Sequence, residues 1–452
     1  MLKLTRVDPT AGPIAPNLMK YAIPIFLTSI IQTLMNATDA AVLGNMADSV
    51  AVASVGATSS IVALLVSSML GISEGAKIML ARSVGARDFD RCRKIMNTSL
   101  TLSVALGALI AIAGAFAAKP ILVAMNCPDD CIDGAALYLS IYLTSAPLTL
   151  LYNFGSGIIA ISGDSVKPMK YMLTSGISNI ILNIILCLIL PNKVAAVAIA
   201  TVAGTGISSV LVIRDLLRHD RFPLDIKQFS FSLRECFLIF KFGIPMAFNT
   251  ALFSISNIQI QSAINSFGSS AIAGNTASVY VECIPSCVTG AFSSSTLVFV
   301  GQNIGANQPK RVKMSIFVST LLSSAVSAVV GLSLFALGKY ALSIFVPGDA
   351  AAVSFGLVRM KHILPFYGIP AITGCFAAAI QAFGFTYIPT SNSILTVLLL
   401  RVLWMEFIYP KSPTAETLYL CYTVSWLSTF LVCVIAFAVI YPLFRRGKLK
   451  KI

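Results

Sequence analysis

IMNTSLTLSVALGALIAIAGAFAA, residues 95–118, carries no charged residue over 24 positions. About 20 apolar residues in α-helix cross a hydrocarbon core ~30 Å thick, and a helix pairs its own backbone polar groups where no water can. The stretch reads as a membrane-spanning helix. Outward from it the pattern recurs along the chain, and twelve spans are expected at 17–43, 52–78, 95–118, 134–161, 168–190, 194–217, 237–264, 271–298, 313–341, 354–383, 388–409 and 416–443. Hydrophobic residues make up 57% of the 452 and charged residues 11%, far below the ~25% charged fraction of soluble domains. The start of the chain has no short apolar core with a small-residue cleavage site, so the first span is expected to stay in the mature protein.

The net charge of +14 would suggest nucleic acid in a soluble protein. Here the basic residues sit in joints and read as topology signals, so no nucleic-acid partner is expected. Alternate joints (1–20, 79–94, 162–170, 214–241, 308–313, 444–452) hold 24 of the 32 Lys and Arg residues. The opposite joints hold Lys119, Lys193, Lys339, Arg359, Lys361 and Lys411, together with acids such as Asp48, Asp129, Asp130, Asp133 and Asp349. The positive-inside rule then places both termini in the cytoplasm. Most of the ten cysteines lie in apolar spans as small hydrophobes. Cys127 and Cys131 share a polar joint, where a disulfide, half a metal site or two incidental thiols are open readings.

The chain also repeats at an offset of about 220 residues. SVGARDFDR at 83–91 matches NIGANQPKR at 303–311, AVAS at 51–54 matches AIAG at 271–274, GDSVKP at 163–168 matches GFTYIP at 384–389, and Pro24 and Pro245 both fall early in their half. Each copy holds six spans, so both enter the membrane in the same direction. The expected fold class is an all-α integral membrane protein with 12 transmembrane helices in two six-helix lobes, related by a pseudo-twofold axis along the membrane normal. The lobes are read as 1–217 and 237–452, with a cytoplasmic linker at 218–236. Such a layout suits alternating access around a midplane site.

With DAAVLGNM at 39–46, the GA joints at 85–86 and 305–306, ISGDSVKP at 161–168, NIILC at 183–187 and AIATVAG at 198–204, the chain resembles the prokaryotic multidrug and toxic compound extrusion (MATE) family over nearly its whole length. The resemblance implies a multi-pass protein of the cytoplasmic (inner) membrane that exports amphiphilic, often cationic small molecules in exchange for protons or sodium. It functions on this reading as a monomer in the lipid bilayer and with no cofactor beyond the coupling ion. It also implies an ion site in the first lobe, which carries across to Asp39, Asn183, Cys187 and Thr201. Cys187 departs from the family, standing where a carboxylate is expected. A thiol is a poor ligand for a hard cation, which favours a proton over sodium.

Ionisable residues inside spans cost ~2.5–3.5 kcal/mol on insertion scales, so each invites a functional reading. Asp39, Asn36 one turn earlier and Gln32 one turn before that share a helix face. A carboxylate that exchanges protons near neutral pH needs a buried, apolar setting; a hydrated residue at the helix end is the other reading of Asp39. Glu74 and Lys77 read as an i, i+3 structural pair. Glu282 has no basic residue near it in sequence and is a candidate for a cationic substrate, or for an interhelical hydrogen bond. Arg401 could meet an anionic group, Glu406 or a backbone carbonyl. Asn153, Ser156, Asn179 and Asn257 join Glu282 and Gln32 as substrate-binding candidates, with Asn249, Gln259 and Gln261 as further polar groups, although many such groups merely join helices. Pro24 is a candidate hinge.

The chain has no G-x4-GK[ST] loop and no H-E-x-x-H pair, GISEG at 71–75 has the G-x-S-x-G spacing but sits inside the span expected at 52–78 rather than in a strand-to-helix turn, and the histidines are His219 and His362. ATP hydrolysis, Ser-His catalysis and metal chemistry are not expected. A lipid-linked precursor flippase and a membrane-embedded enzyme remain as other readings. The first requires a strongly cationic cleft and the second a catalytic set.

Overall fold

The computed structural model describes residues 6–47, 49–125, 127–225 and 230–445. The described chain is almost entirely helical. The first half runs α1 (Ile14–Met46), α2 (Ser49–Gly85), α3 (Phe89–Ala124), α4 (Ile132–Leu143), α5 (Ala146–Ile161), α6 (Val166–Ile189) and α7 (Lys193–Leu217). The second runs α8 (Leu233–Asn265), α9 (Ser269–Gly305), α10 (Pro309–Ala336), α11 (Gly338–Phe345), α12 (Ala350–Ile363), α13 (Gly368–Ala382), α14 (Tyr387–Ser393), α15 (Leu400–Leu403) and α16 (Ala415–Arg445). Among the described residues nine helical stretches are long and apolar enough to span a membrane. The pairs α4/α5 and α12/α13, bent by 43° and 49°, are each long enough together. With α8, 33 residues long, this arrangement is consistent with the twelve spans read from sequence.

Both halves are built on one pattern, and the repeat appears in the backbone itself. α2 and α9 are each 37 residues long, and each is followed shortly after its end by a residue with positive φ, Arg87 at 58° and Asn307 at 55°. A left-handed residue after the last turn is a common way to stop a helix. Arg87 and Asn307 are equivalent positions of the 83–91 and 303–311 motifs. Asp88 then starts α3 by accepting a hydrogen bond from the Arg91 N–H. Gly163 (φ 100°) and Gly384 (φ 83°) close the corresponding later joints, where only glycine adopts such a backbone without strain.

The chain divides into two compact units that cut across the linear lobes. One contains Leu27–Ala247 with Arg6 and Val7; the other contains Asp8–Phe26 and the chain from Phe248 onward. Within the first unit, the opening of α8 lies against α2 at small residues. A Cβ on Gly71 would overlap the Ala247 backbone, and one on Gly75 the Ile239 carbonyl. Arg91 Nε also reaches Glu235 Oε1 at 3.2 Å. Within the second unit, the segment before α1 is held at equivalent positions: Arg311 Nη2 and Asn303 Nδ2 both donate to the Pro9 carbonyl at 3.0 Å. Tyr21 also meets Phe299 edge-on at 5.8 Å. The lobes read as 1–217 and 237–452 thus differ from the compact units in the opening stretches of α1 and α8. Pro24 and Pro245 fall just before the points where the chain passes between units.

The spans at 134–161 and 354–383 are each bent at a break, with Pro147 opening α5 and the Leu364–Phe366 3-10 turn preceding α13. One sequence expectation needs correction. Arg359, counted among the joint residues, is buried inside the second unit on α12.

Close backbone approach at Gly75 yields a stability prediction. Gly75→Ala is expected to cost about 1–3 kcal/mol through overpacking, whereas Gly44→Ala, whose Cβ meets nothing within 4 Å, leaves the thermal midpoint of the purified protein nearly unchanged. Equal midpoints for the two variants would contradict the close packing of α2 on α8.

Candidate ion-coupling site and polar cavity

In the first unit, three helices converge on Asp39. α1 carries the carboxylate, α6 carries Asn179 and Asn183 one turn apart, and α7 carries Thr201. The Asn183 Nδ2 donates to Asp39 Oδ1 at 2.5 Å and lies 3.3 Å from Asn179 Oδ1. Thr201 Oγ1 lies 3.4 Å from Asp39 Oδ2 and receives the Asn179 Nδ2 at 3.5 Å. Both asparagines are fully buried. The groups facing the carboxylate are neutral, and the buried Asn183 Oδ1 finds no donor among the described residues.

Cys187, one turn beyond Asn183, packs among Leu43, Tyr138, Val194 and Val197 instead of facing the carboxylate as a ligand. Lys193, read as a joint residue, places its ammonium on the Cys187 and Leu190 carbonyls at 2.6 and 2.9 Å. A cation there satisfies carbonyls that the end of α6 leaves open.

The second unit contains a cavity of about 540 Å³, lined by Glu282, Arg359, Arg401, Asn257, Tyr422 and Trp426 among others. Glu282 on α9 and Arg359 on α12 form a forked ion pair, with Nε to Oε1 and Nη2 to Oε2 both at 2.7 Å. Arg359 Nη1 also donates to Asn275 Oδ1 at 2.8 Å, and Tyr419 Oη donates to that oxygen at 3.0 Å. Arg401 on α15 donates from Nε to Ser425 Oγ at 3.2 Å and from Nη1 to Asn257 Oδ1 at 3.2 Å. The Tyr422 ring sits 5.2 Å from the Arg359 guanidinium carbon and 4.3 Å from that of Arg401, distances suited to cation–π attraction.

The structure therefore brings Asp39, Asn183 and Thr201 together, as the family resemblance implied, and adds Asn179, which the sequence placed with the substrate candidates. The side chain of Asn36 lies outside the described residues, as does Asp48. Gln32 is exposed on α1. Asn153 is buried with its Nδ2 unpaired among the described residues, and Ser156 Oγ bonds back to the Asn153 carbonyl at 3.2 Å. Asn257 belongs to the second-unit cavity. Of the two readings of Glu282, the structure shows the interhelical bond: its carboxylate is neutralised by Arg359, 77 positions along the chain. Glu406 is exposed and is not the partner of Arg401. Glu74 and Lys77 form the expected pair at 2.6 Å. The Cys127 and Cys131 sulfurs lie 3.6 Å apart as free thiols.

Breaking a buried pair leaves one charge uncompensated, so Glu282→Gln is expected to destabilise the protein by about 3–5 kcal/mol. Replacing both partners with methionine should recover much of that loss, and thermal unfolding of the purified variants checks it. A Glu282→Gln protein as stable as wild type would contradict the pairing.

The same geometry can be set beside known proteins. The probable multidrug resistance protein YpnP of Bacillus subtilis is 24% identical over 377 residues, covering 83% of this chain and 84% of YpnP. YoeA of the same organism, also described as a probable multidrug resistance protein, is 28% identical over 341 residues, 72% of each chain. A MOP superfamily transporter from Pyrococcus furiosus, described as having a binding pocket of reverse polarity that suggests a different function, superposes with a TM-score of 0.85 at 20% identity, over 100% of this chain and 98% of that one. The MatE family model matches residues 24–189 and 245–404, one match to each copy of the internal repeat. Two matched repeats on an all-helical, multi-pass framework make this chain a member of the MatE family of multidrug efflux transporters.

Proposed function

We propose that the protein is a secondary antiporter of the cytoplasmic membrane that exports small molecules in exchange for protons by alternating access, with both termini in the cytoplasm and Asp39 as the coupling carboxylate. The observation that carries this reading is the donor set around Asp39. The Asn183 amide presents a hydrogen to one of its oxygens, and the Thr201 hydroxyl is shared between the other oxygen at 3.4 Å and the Val197 carbonyl at 3.0 Å, whereas a hard metal ion needs several oxygen acceptors turned inward. Cys187, in the position where the family resemblance implies a second carboxylate, supports the same choice. Protonation removes the charge that the polar triad holds, and deprotonation restores it.

The energy scale is sufficient. One charge moved across 100 mV is worth ~2.3 kcal/mol, and each pH unit adds ~1.4 kcal/mol. Pro24, whose ring denies α1 a backbone hydrogen bond just before the chain passes between units, is the natural place for that helix to bend as the charge on Asp39 changes. The flippase reading would want several uncompensated cations in the cleft. Among the described residues lining the second-unit cavity, the charged side chains are Glu282, Arg359 and Arg401, and the first two cancel. Attraction of a cationic cargo to Glu282 loses its basis for the same reason.

Asp39→Asn keeps the shape and hydrogen-bonding capacity of the site but cannot titrate. Proton-gradient-driven export from everted vesicles is expected to fall to the level of vesicles lacking the protein, with thermal stability retained. Export at the wild-type rate by a folded Asp39→Asn protein would end the assignment.

A further inference from the structure

We propose that the second-unit cavity binds an amphiphilic organic monoanion, a carboxylate on an aromatic or otherwise apolar body, with Arg401 taking the carboxylate. Both oxygens of Glu282 are taken by Arg359, so that pair is electrically closed and Arg401 is left as the excess charge on the cavity wall. Its partners are neutral: Ser425 Oγ, Asn257 Oδ1 and, at 3.5 Å, Ser256 Oγ. Its Nη2 donates to nothing among the described residues, and none of their carboxylates forms an ion pair with it. Arg401 is only 2% exposed, and a guanidinium so removed from water is costly without a counter-ion. A bound anion supplies one.

The remaining wall fits the rest of such a ligand. One guanidinium fork matches one planar carboxylate, whereas a polyphosphate would need more cations. Tyr422 already covers the guanidinium face, and Trp426, Tyr367, Ile260 and Val397 give the cavity apolar surface. Its volume of about 540 Å³ lies within the range that holds drug-sized ligands. The helix carrying Arg401 is also widened to π-helix on both sides, at Ile394–Leu399 and Trp404–Ile408, a distortion frequent at functional sites. That the bound anion is cargo rests on the transport reading above; that it binds does not.

The chain contains two tryptophans, Trp404 and Trp426, so Trp404→Phe leaves Trp426 as a reporter in the cavity wall. Using the full-length protein in detergent without any ion gradient, quenching by 4-nitrobenzoate is compared with quenching by 4-nitrobenzylammonium, which carries a similar ring and the opposite charge. Saturable quenching by the anion, with affinity at least about tenfold above that of the cation, is expected. Arg401→Gln should weaken anion binding by about tenfold or more, and Arg401→Lys by less. Equal or tighter binding of the cation, non-saturating quenching by both probes, or unchanged anion affinity in Arg401→Gln would each overturn the proposal. If Arg401→Gln fails to fold, the preference of the Arg401 protein for anion over cation decides alone. Because no gradient is present, the outcome is separable from that of the Asp39 experiment.

Discussion

A charge inside a membrane-spanning bundle has to be met by something other than water, and the charged groups that matter most here are met in three different ways. Asp39 is held by neutral donors from α6 and α7. Glu282 and Arg359 hold each other through two hydrogen bonds. Arg401 is held by neutral oxygens and a tyrosine face. The chemistry follows from the difference. A carboxylate among neutral groups can give up its charge by taking a proton, a paired carboxylate has its counter-ion at hand, and an arginine stays charged and awaits an anion.

The repeat gives each of these sites its scaffold. The two copies of the GA joint stop their helices with a left-handed residue at the same position, and of the arginines that close the motifs Arg91 holds the opening of α8 while Arg311 holds the segment just before α1. The functional contents of the copies have nevertheless diverged. The first unit keeps a titratable acid on a helix shared between units, while the second has placed an ion pair and a spare cation on the walls of a cavity.

Much of this was legible in the sequence because the membrane leaves few choices. Uncharged runs such as 95–118 could only be spans, and the 83–91 and 303–311 motifs exposed the duplication. Asp39, Asn183 and Thr201 were grouped through family resemblance; nothing in their spacing alone requires them to meet. What sequence could not show depends on contacts between distant segments. Arg359 looked like a joint residue because Lys361 and His362 follow it, and only packing of α12 on α9 reveals Glu282 as its partner. Asn179 lies one turn from Asn183, a signal that could have placed it with Asp39. The place of the opening of α8 in the first unit was also hidden, since it comes from small residues such as Gly71, Gly75 and Gly243 at close contacts between segments far apart in the chain. No local pattern encodes a pairing of that range.

Coupling by a single carboxylate makes a direct demand on energetics. With protein reconstituted into liposomes, a pH gradient at equal sodium and a sodium gradient at equal pH can be imposed separately while transport of one cargo is followed. Accumulation under the pH gradient, with none under sodium, is what protonation of Asp39 predicts. Accumulation driven by sodium at constant pH, with the pH gradient ineffective, would contradict it.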